Sequence, residues 1–247
     1  MPITLPDLTE VVAAEAHPPL FATVSGAHLY GFPSEDSDID LRGVHLLAAE
    51  EVVGLRVGPE TVDRTWFRDG IEIDLVTHDL RKFARLLLTP NGYVLEQLIS
   101  PLVVRTGKIH AELLSMAPGL LTSRHAHHYR GFANSQWTLF QHTNEIKPLL
   151  YTFRALLTGI NLMRTGVVDA TLPNLGGPAY LAELIEAKRT GEHRSLDTTH
   201  VVEAARLTGD VERLHEQLTA VQETTSLPER PTVDEQMHDL VVRARLG

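Results

Sequence analysis

The sequence predicts an α+β protein in which a small mixed sheet is followed by an all-helical part. Short apolar runs separated by turn residues occupy residues 20–105, whereas apolar residues at helical spacing dominate after residue 108. Asp69-Gly70, between two strand-like runs, is a strong hairpin signal. These observations predict one domain over residues 1–107 and a second, helical domain over residues 108–247.

In the first part, turn residues separate the apolar runs. Asp79 is a suitable N-cap for a helix with an apolar stripe, and the Thr89–Gly92 segment breaks that helix. The predicted elements are a helix at 7–16, a strand at 20–25, a glycine turn at 26–31, strands at 39–47, 62–67 and 71–77, helices at 79–88 and 94–99, and a strand at 102–105.

In the second part the apolar spacing is helical throughout, and Gly166, Pro228 and Pro231 are placed where helices should end or begin. The predicted helices cover residues 109–116, 123–141, 144–165, 177–190, 198–221 and 232–246.

The bulk properties are those of an ordinary globular protein. The chain has 247 residues, of which 43% are hydrophobic and 22% charged. It has no cysteine for disulfides or thiolate metal sites. The N-terminal segment does not resemble a signal peptide, and no apolar run approaches the roughly 20 residues of a membrane-spanning helix. We therefore expect a cytoplasmic protein without a membrane partner.

Charge is unevenly distributed along the chain. The net charge is −10, and residues 1–120 carry 9 Lys and Arg against 17 Asp and Glu. Proteins that bind long nucleic acid usually have a basic surface, because neutralising phosphates supplies much of their affinity. Stable, non-specific binding to long nucleic acid is therefore disfavoured.

Two carboxylates stand out at the start of the second predicted strand. Residues two apart in a strand share a face, so Asp38 and Asp40 project together while Ile39 and Leu41 face the core. Two such negative charges are costly side by side unless a cation lies between them. Hard divalent cations, Mg²⁺ above all, prefer oxygen ligands of this kind.

A third acid is expected on a neighbouring strand. In the run 71–77, Glu72 and Asp74 share one face, and either could serve. We prefer Asp74, because an unliganded carboxylate is more costly at its mid-strand position among apolar neighbours.

The glycine turn before the acids suits phosphate chemistry. Gly26 and Gly31 permit backbone conformations that point N–H groups at an anion. An Asp-x-Asp pair is often only a solvated turn, but the apolar residues Ile39, Leu41 and Val44 around this pair argue against a solvated loop. The combination of turn and acids favours a catalytic site.

These residues resemble the polymerase-beta nucleotidyltransferase superfamily, whose signature is a Gly-Ser turn followed by an Asp-x-Asp strand. Residues 26–44, GAHLYGFPSEDSDIDLRGV, are most similar to the RlaP family, the polymerase-beta-like nucleotidyltransferases associated with RNA repair. The similarity covers nearly the whole chain. It implies a nucleotidyltransferase domain followed by a helical domain, with metal-binding and catalytic acids at Asp38, Asp40 and Asp74.

The resemblance also implies a reaction. A nucleoside monophosphate would pass from a nucleoside triphosphate such as ATP to a hydroxyl acceptor, with two Mg²⁺ ions, or Mn²⁺ in their place. An RNA 3′ end is the acceptor that the resemblance suggests. One departure is that Ala27 stands where the superfamily has serine, so a hydroxyl for the triphosphate is missing. One neutral hydrogen bond is worth only about 0.5–1.5 kcal/mol, so Ala27 alone need not abolish activity.

Further residues are candidates for nucleotide binding. Alternatives stay open for each: His28 could donate to a phosphate or to the protein, and Tyr30 could stack on a base or buttress the turn. Arg42 could steady the acids or contact phosphate, or it could form only a surface ion pair. Lys147, Tyr151 and Arg154 lie at helical spacing, so they share a stripe that could hold a triphosphate and its base, or simply cover a helix face. The candidate nucleotide-binding set is Gly26, Ala27, His28, Tyr30, Gly31, Arg42, Lys147, Tyr151 and Arg154.

Other functions compete with transfer to RNA. Because the net charge is negative, AMP transfer to a partner protein or to a small molecule remains an alternative. The loss of the serine hydroxyl at Ala27 raises a different alternative, a catalytically quiet nucleotide-binding module with a regulatory role. The sequence leaves the preferred base and the oligomeric state open.

Overall fold

The computed structural model describes residues 5–191, 193–198 and 202–247. Its strands form one mixed sheet in the order β3-β4-β2-β1-β5. β2 and β4 are parallel, and the other neighbouring strands are antiparallel. This mixed sheet with many helices is the predicted α+β class. The strands are β1 (Phe21–Val24), β2 (Ile39–His45), β3 (Thr61–Arg68), β4 (Ile71–Asp79) and β5 (Val103–Arg105).

The predicted hairpin joins β3 to β4. Asp69 and Gly70 have φ angles of 52° and 83°. Two consecutive positive φ angles are what a tight two-residue hairpin turn requires, and Asp-Gly adopts them readily. The hairpin prediction is confirmed.

The sheet buries apolar residues on both faces. On one face Ile39, Leu41, Ile73 and Leu75 form a core with α1 (Thr9–Ala13), as their alternation predicts. Helices that follow β4 cover the other face, where their side chains pack around Phe21 and Val44. These helices are α4 (Leu80–Leu87), α5 (Gly92–Ile99), α6 (Lys108–Leu120) and α11 (Asp234–Leu246).

The chain divides into two compact units that are discontinuous in sequence. One unit comprises the chain up to Leu29, Asp38–Leu121 and Arg230–Gly247; the other comprises Tyr30–Ser37 and Thr122–Glu229. The predicted boundary between residues 107 and 108 does not coincide with this division. The reason is that α6 and α11 contribute apolar side chains, among them Leu113 and Met237, to the core beneath the sheet.

The second unit is built around α8 (Ile146–Thr165), most of whose residues are buried. Gly166 ends α8 with a φ angle of 68°, as the sequence predicts. A Cβ added to Gly159 would lie 3.0 Å from the Tyr129 Cβ, so α7 and α8 approach each other closely there. The other helices of this unit are α7 (His125–Thr143), α9 (Leu181–Arg189) and α10 (Ala204–Thr224).

Two short helices differ from the prediction. The glycine turn is wrong in detail, because residues 26–30 form the short helix α2 (Gly26–Tyr30). Gly26 and Gly31, with φ angles of 61° and 88°, bracket α2 and redirect the chain at its ends. Three of the four side chains between them, those of Ala27, Leu29 and Tyr30, are buried rather than displayed in an open loop. Helix α3 (Glu50–Val53) has no counterpart in the prediction.

Later helix boundaries also shift. α9 begins at Leu181 rather than at 177, because Gly177 has a φ angle of 105° and Pro178 follows it. The predicted helix 198–221 includes residues 199–201, which lie outside the described residues, and α10 runs from Ala204 to Thr224. None of the described helices is both long and apolar enough to span a bilayer.

Candidate active site

Asp40 and Asp74 lie side by side on neighbouring parallel strands. The register of β2 and β4 sets Asp40 opposite Asp74, and residues directly opposite each other in a sheet project from the same face. Their side chains are 17% and 27% exposed, so both carboxylates remain accessible to solvent. The structure therefore brings together two of the three acids that the sequence singles out.

Arg42 binds both of these carboxylates. It follows Asp40 by two residues in β2 and therefore shares its face. Its Nη2 donates to Asp40 Oδ1 and, at 2.8 Å, to Asp74 Oδ2. Burial by itself would lower the pKa of the Arg42 guanidinium, but the neighbouring Tyr93 and Asp40 outweigh it, so the pKa is raised and the group stays cationic. The arrangement favours the steadying role over a phosphate contact.

Gly26 leaves the space that Asp40 occupies. A Cβ at position 26 would lie 1.7 Å from Asp40 Oδ2, and the φ angle of 61° is one that side-chain-bearing residues rarely adopt. The Asp40 carboxylate thus rests directly against the glycine backbone at the start of α2. The glycine that the sequence marks for its backbone freedom also has a steric role.

Asp38 and Glu72 are placed differently from the pair. Asp38 immediately precedes β2 and is half-buried, whereas Glu72 in β4 is exposed. Asp74, not Glu72, is the β4 acid in contact with Arg42. Within the part of the chain that the structure describes, no three acidic or histidine side chains converge as a metal-binding group.

The donor chemistry of the acid pair nevertheless suits a hard divalent cation, because both members are carboxylates. In the structure one oxygen of each accepts hydrogen bonds from Arg42. Asp74 Oδ1 lies 3.4 Å from the Thr65 hydroxyl, a long contact that leaves this oxygen only weakly held.

The other residues of α2 are mostly buried. Ala27 is 1% exposed, so its methyl group is packed in the interior and offers no hydroxyl. His28 is half-buried. Gly31 ends the helix, and a Cβ there would lie 2.8 Å from Pro173, which explains glycine at this position in steric terms.

In the second unit, Tyr30 and Arg154 contact each other. The Arg154 guanidinium carbon lies 3.8 Å from the centre of the Tyr30 ring, a cation–π contact. Tyr30 is 2% and Arg154 3% exposed. Tyr151 packs edge-on against Tyr30 with ring centres 5.4 Å apart. This geometry favours a buttressing role for Tyr30, whereas Lys147 and Tyr151 are only half-buried.

Sequence reasoning missed Tyr93. It lies in α5 and accepts a hydrogen bond from Arg42 Nε at 2.8 Å, which places it next to the acid pair. Partial desolvation of the Tyr93 hydroxyl raises its pKa even though Arg42 opposes the shift, so the hydroxyl stays protonated. A tyrosine within an ordinary helical pattern gives no sign of such a contact.

Sequence reasoning also missed Lys188. It is fully buried, and its Nζ donates to the hydroxyls of Ser34 and Ser37, each at 2.9 Å. Ser37 directly precedes Asp38, so Lys188 anchors the segment that leads into the acid strand. In the sequence, Lys188 resembles a basic residue in the last turn of a helix.

The mixed sheet thus carries an acid pair with the backbone of a glycine packed against one of its members. The chain belongs to the RNA repair pathway DNA polymerase beta family (RlaP), whose family model matches residues 3–243.

The proteins similar to this chain include two relatives and one solved structure. The uncharacterized protein MJ0002 of Methanocaldococcus jannaschii is 32% identical over 150 residues, which cover 60% of this chain and 61% of that protein. The uncharacterized protein YcgL of Bacillus subtilis is 26% identical over 210 residues, 80% of each chain. A nucleotidyltransferase-like protein from Exiguobacterium sibiricum aligns over 96% of this chain and 78% of its own, with 11% identity and a TM-score of 0.33.

Proposed function

We propose that this protein is a Mg²⁺-dependent nucleotidyltransferase that transfers a nucleoside monophosphate from a nucleoside triphosphate to a hydroxyl acceptor. The observation that carries the proposal is the register of β2 and β4, which sets Asp40 against Asp74 in a member of the RlaP family. Two accessible carboxylates on one face of a sheet are the ligands that a hard divalent cation prefers.

Asp38, Asp40 and Asp74 would hold Mg²⁺, or Mn²⁺ in its place. When bound, the ions would lower the pKa of the attacking hydroxyl and stabilise the departing pyrophosphate. The acceptor oxygen forms a bond to the α-phosphorus, and the bond from that phosphorus to the oxygen bridging to the β-phosphate breaks. The hydroxyl proton passes to a carboxylate of the Asp40–Asp74 pair.

The protein's own residues would orient this site. Arg42 fixes both carboxylates, and Gly26 leaves room for Asp40. Within the second unit, taken by itself, Lys147 and Tyr151 are the half-buried members of the α8 stripe and are proposed as nucleotide-binding residues. Arg154 would contribute indirectly, by holding the Tyr30 ring in place through their cation–π contact.

An RNA 3′ end is the acceptor we propose first, because the chain belongs to a family named for an RNA repair pathway. The net charge of −10 favours a short contact with an RNA end over binding along a long nucleic acid. AMP transfer to a protein hydroxyl or to a small molecule remains the alternative within the same chemistry.

Incubation with each α-labelled nucleoside triphosphate, Mg²⁺ and either total RNA or cell lysate tests both reaction and acceptor. We expect label in RNA, and loss of that label in Asp40→Asn. Label that enters only protein would refute the RNA assignment.

A second candidate, a catalytically quiet nucleotide-binding module, is favoured by two specific observations. Ala27 offers no hydroxyl, and Arg42 occupies an oxygen of each acid. Isothermal titration with triphosphates and Mg²⁺ separates the two candidates. Binding without turnover, unchanged when Asp38 and Asp40 are both replaced by alanine, would establish the quiet module and exclude the enzyme.

A further inference from the structure

The guanidinium of Arg42 uses all of its hydrogen-bond donors within the first unit. A guanidinium has five N–H groups in a fixed planar fork. Nε donates to the Tyr93 hydroxyl at 2.8 Å, and Nη1 donates to the carbonyl oxygens of Leu41 at 3.1 Å and Asp74 at 2.6 Å. Nη2 donates to the Asp40 and Asp74 carboxylates. While these bonds are intact, no N–H group of Arg42 is left for a phosphate oxygen.

The position of Arg42 also gives its charge a large effect. The residue is 6% exposed, and its neighbours are two carboxylates that the strand register forces together. Charges interact more strongly here than in bulk water, because fewer water molecules separate and screen them. Arg42 therefore supplies the positive charge without which Asp40 and Asp74 would repel each other.

We infer that the Arg42 guanidinium serves as the counter-cation of Asp40 and Asp74 in the metal-free protein, and that a divalent metal ion must compete with it for these two carboxylates. The inference rests on the proposed function only in taking these acids as the metal ligands. Arg42 is then a positioning residue that makes the metal-free site stable and keeps its affinity for free metal low.

The hydrogen bonds of Arg42 indicate how a metal ion could reach a carboxylate of the acid pair without displacing the whole guanidinium. Its contacts to Leu41, Tyr93 and the Asp74 carbonyl do not involve a carboxylate oxygen. A metal ion that captures Asp40 breaks one carboxylate contact, while these three bonds keep the guanidinium in place.

Mn²⁺ binding measured by electron paramagnetic resonance, without nucleotide, tests the inference directly. Arg42→Met removes the competing charge at similar side-chain length, and we expect it to tighten Mn²⁺ binding by about tenfold or more. Arg42→Lys keeps the charge but loses the planar fork, so a smaller gain is expected. Arg81→Met is the matched control, because Arg81 pairs with Glu60 in the same unit and contacts neither acid; its Mn²⁺ affinity should match that of the unmodified protein.

Weaker Mn²⁺ binding in a folded Arg42→Met variant would overturn the inference, since Arg42 would then help to build the metal site. Circular dichroism establishes whether the variant is folded. If it is not, the Arg42→Lys variant decides: tighter Mn²⁺ binding than in the unmodified protein supports competition, and equal or weaker binding contradicts it.

These results are separable from those for the proposed function. Tighter Mn²⁺ binding in Arg42→Met, combined with no transfer from any triphosphate by the unmodified protein, would support the inference and refute the enzyme. Transfer that depends on Asp40, combined with weaker Mn²⁺ binding in Arg42→Met, would support the enzyme and refute the inference.

Discussion

The close contact between Gly26 and Asp40 means that replacing Gly26 by alanine tests whether the position of the Asp40 carboxylate matters for activity. Gly26→Ala places a Cβ 1.7 Å from Asp40 Oδ2, so the carboxylate must move away from its place beside Asp74. We expect transferase activity to fall by at least about tenfold, because positioning errors near 1 Å can cost about 100-fold in rate. Initial rates with labelled triphosphate measure the effect.

Gly70→Ala is the matched control for that substitution. Gly70 also has a positive φ angle, 83°, but nothing lies within 4 Å of an added Cβ. Both variants should lose roughly 1 kcal/mol or more of stability from backbone strain, measured by urea unfolding. Equal activity losses in the two variants would show that strain alone, and not the displaced carboxylate, explains the effect.

The two acids of β4 give a second prediction at the residue scale. Asp74 lies opposite Asp40 and contacts Arg42, whereas Glu72 is exposed. We expect Asp74→Asn to reduce transfer by at least about 100-fold and Glu72→Gln to change it less than about threefold, since only the first removes a charge from the site. Transfer assays at saturating Mg²⁺ compare the two, and the reverse order would identify Glu72 as the functional acid.

Sequence reasoning identified the two acids that the structure places side by side. The Asp-x-Asp spacing and the alternation in 71–77 are enough to suggest Asp40 and Asp74, because side-chain direction in a strand follows from the period of two. The roles of Tyr93 and Lys188 could not be predicted in this way. Each contacts its partner across a long separation in sequence, 51 residues for Tyr93 and 151 or 154 for Lys188, so only the folded chain reveals the contact.

At the scale of elements, Asp79 joins three of them. Its side chain accepts from the Arg81 N–H as N-cap of α4, from the Leu47 N–H at 3.0 Å, and from Arg245 of α11 at 2.7 Å. Burial by itself would raise the pKa of Asp79, but these hydrogen bonds outweigh it and lower the pKa. Asp79 is fully buried, so the ion pair between Asp79 and Arg245 holds α11 against the rest of the first unit.

Asp79→Ala should therefore be strongly destabilising. Breaking a buried ion pair from one side typically costs about 3–5 kcal/mol, because the remaining charge is left without its partner. Arg245→Met should cost a comparable amount, and the double variant should cost clearly less than the sum. Urea unfolding of the four proteins completes the cycle, and additive losses would show that the two side chains do not interact.

The elements themselves were predictable where the signal was local. The Asp69-Gly70 hairpin and the end of α8 at Gly166 follow from residues that tolerate positive φ angles. The parallel pairing of β2 with β4 could not be predicted, because strands separated by more than 20 residues are paired by packing rather than by a turn. Helix α2 was missed because its glycines indicate a turn, whereas the structure shows a five-residue helix whose Ala27 and Leu29 are buried.

At the scale of the whole molecule, the order of the elements along the sequence does not match their division into compact units, and the reason is physical. The apolar faces of α6 and α11 complete the core on one side of the sheet, although both helices lie in the helical part of the sequence. A change from strand-like to helix-like periodicity therefore locates secondary structure correctly. It does not say which core each helix completes, because that depends on which apolar surface remains uncovered.

Buried histidines should make the stability of the molecule depend on pH. Burial lowers the pKa of His125 to about 4, although a hydrogen bond with Thr122 opposes the shift, and burial also lowers the pKa of His45. Below the ordinary histidine pKa of 6.5 the unfolded chain binds protons that the folded chain does not. His125 therefore contributes full stability above pH 6.5, and this contribution is lost as the pH falls from 6.5 towards 4.

We expect His125→Asn to reduce that pH dependence. A group of this kind changes the free energy of unfolding by up to about 1.4 kcal/mol per pH unit within its window. An asparagine cannot take up the proton, yet it can accept the N–H hydrogen bond of Thr122 that His125 Nδ1 receives at 3.2 Å. Urea unfolding between pH 7 and pH 4.5 should give a steeper loss of stability in the unmodified protein than in the variant. Parallel losses would mean that His125 takes up its proton equally in the folded and unfolded states, and that the buried imidazole is not the source of the pH dependence.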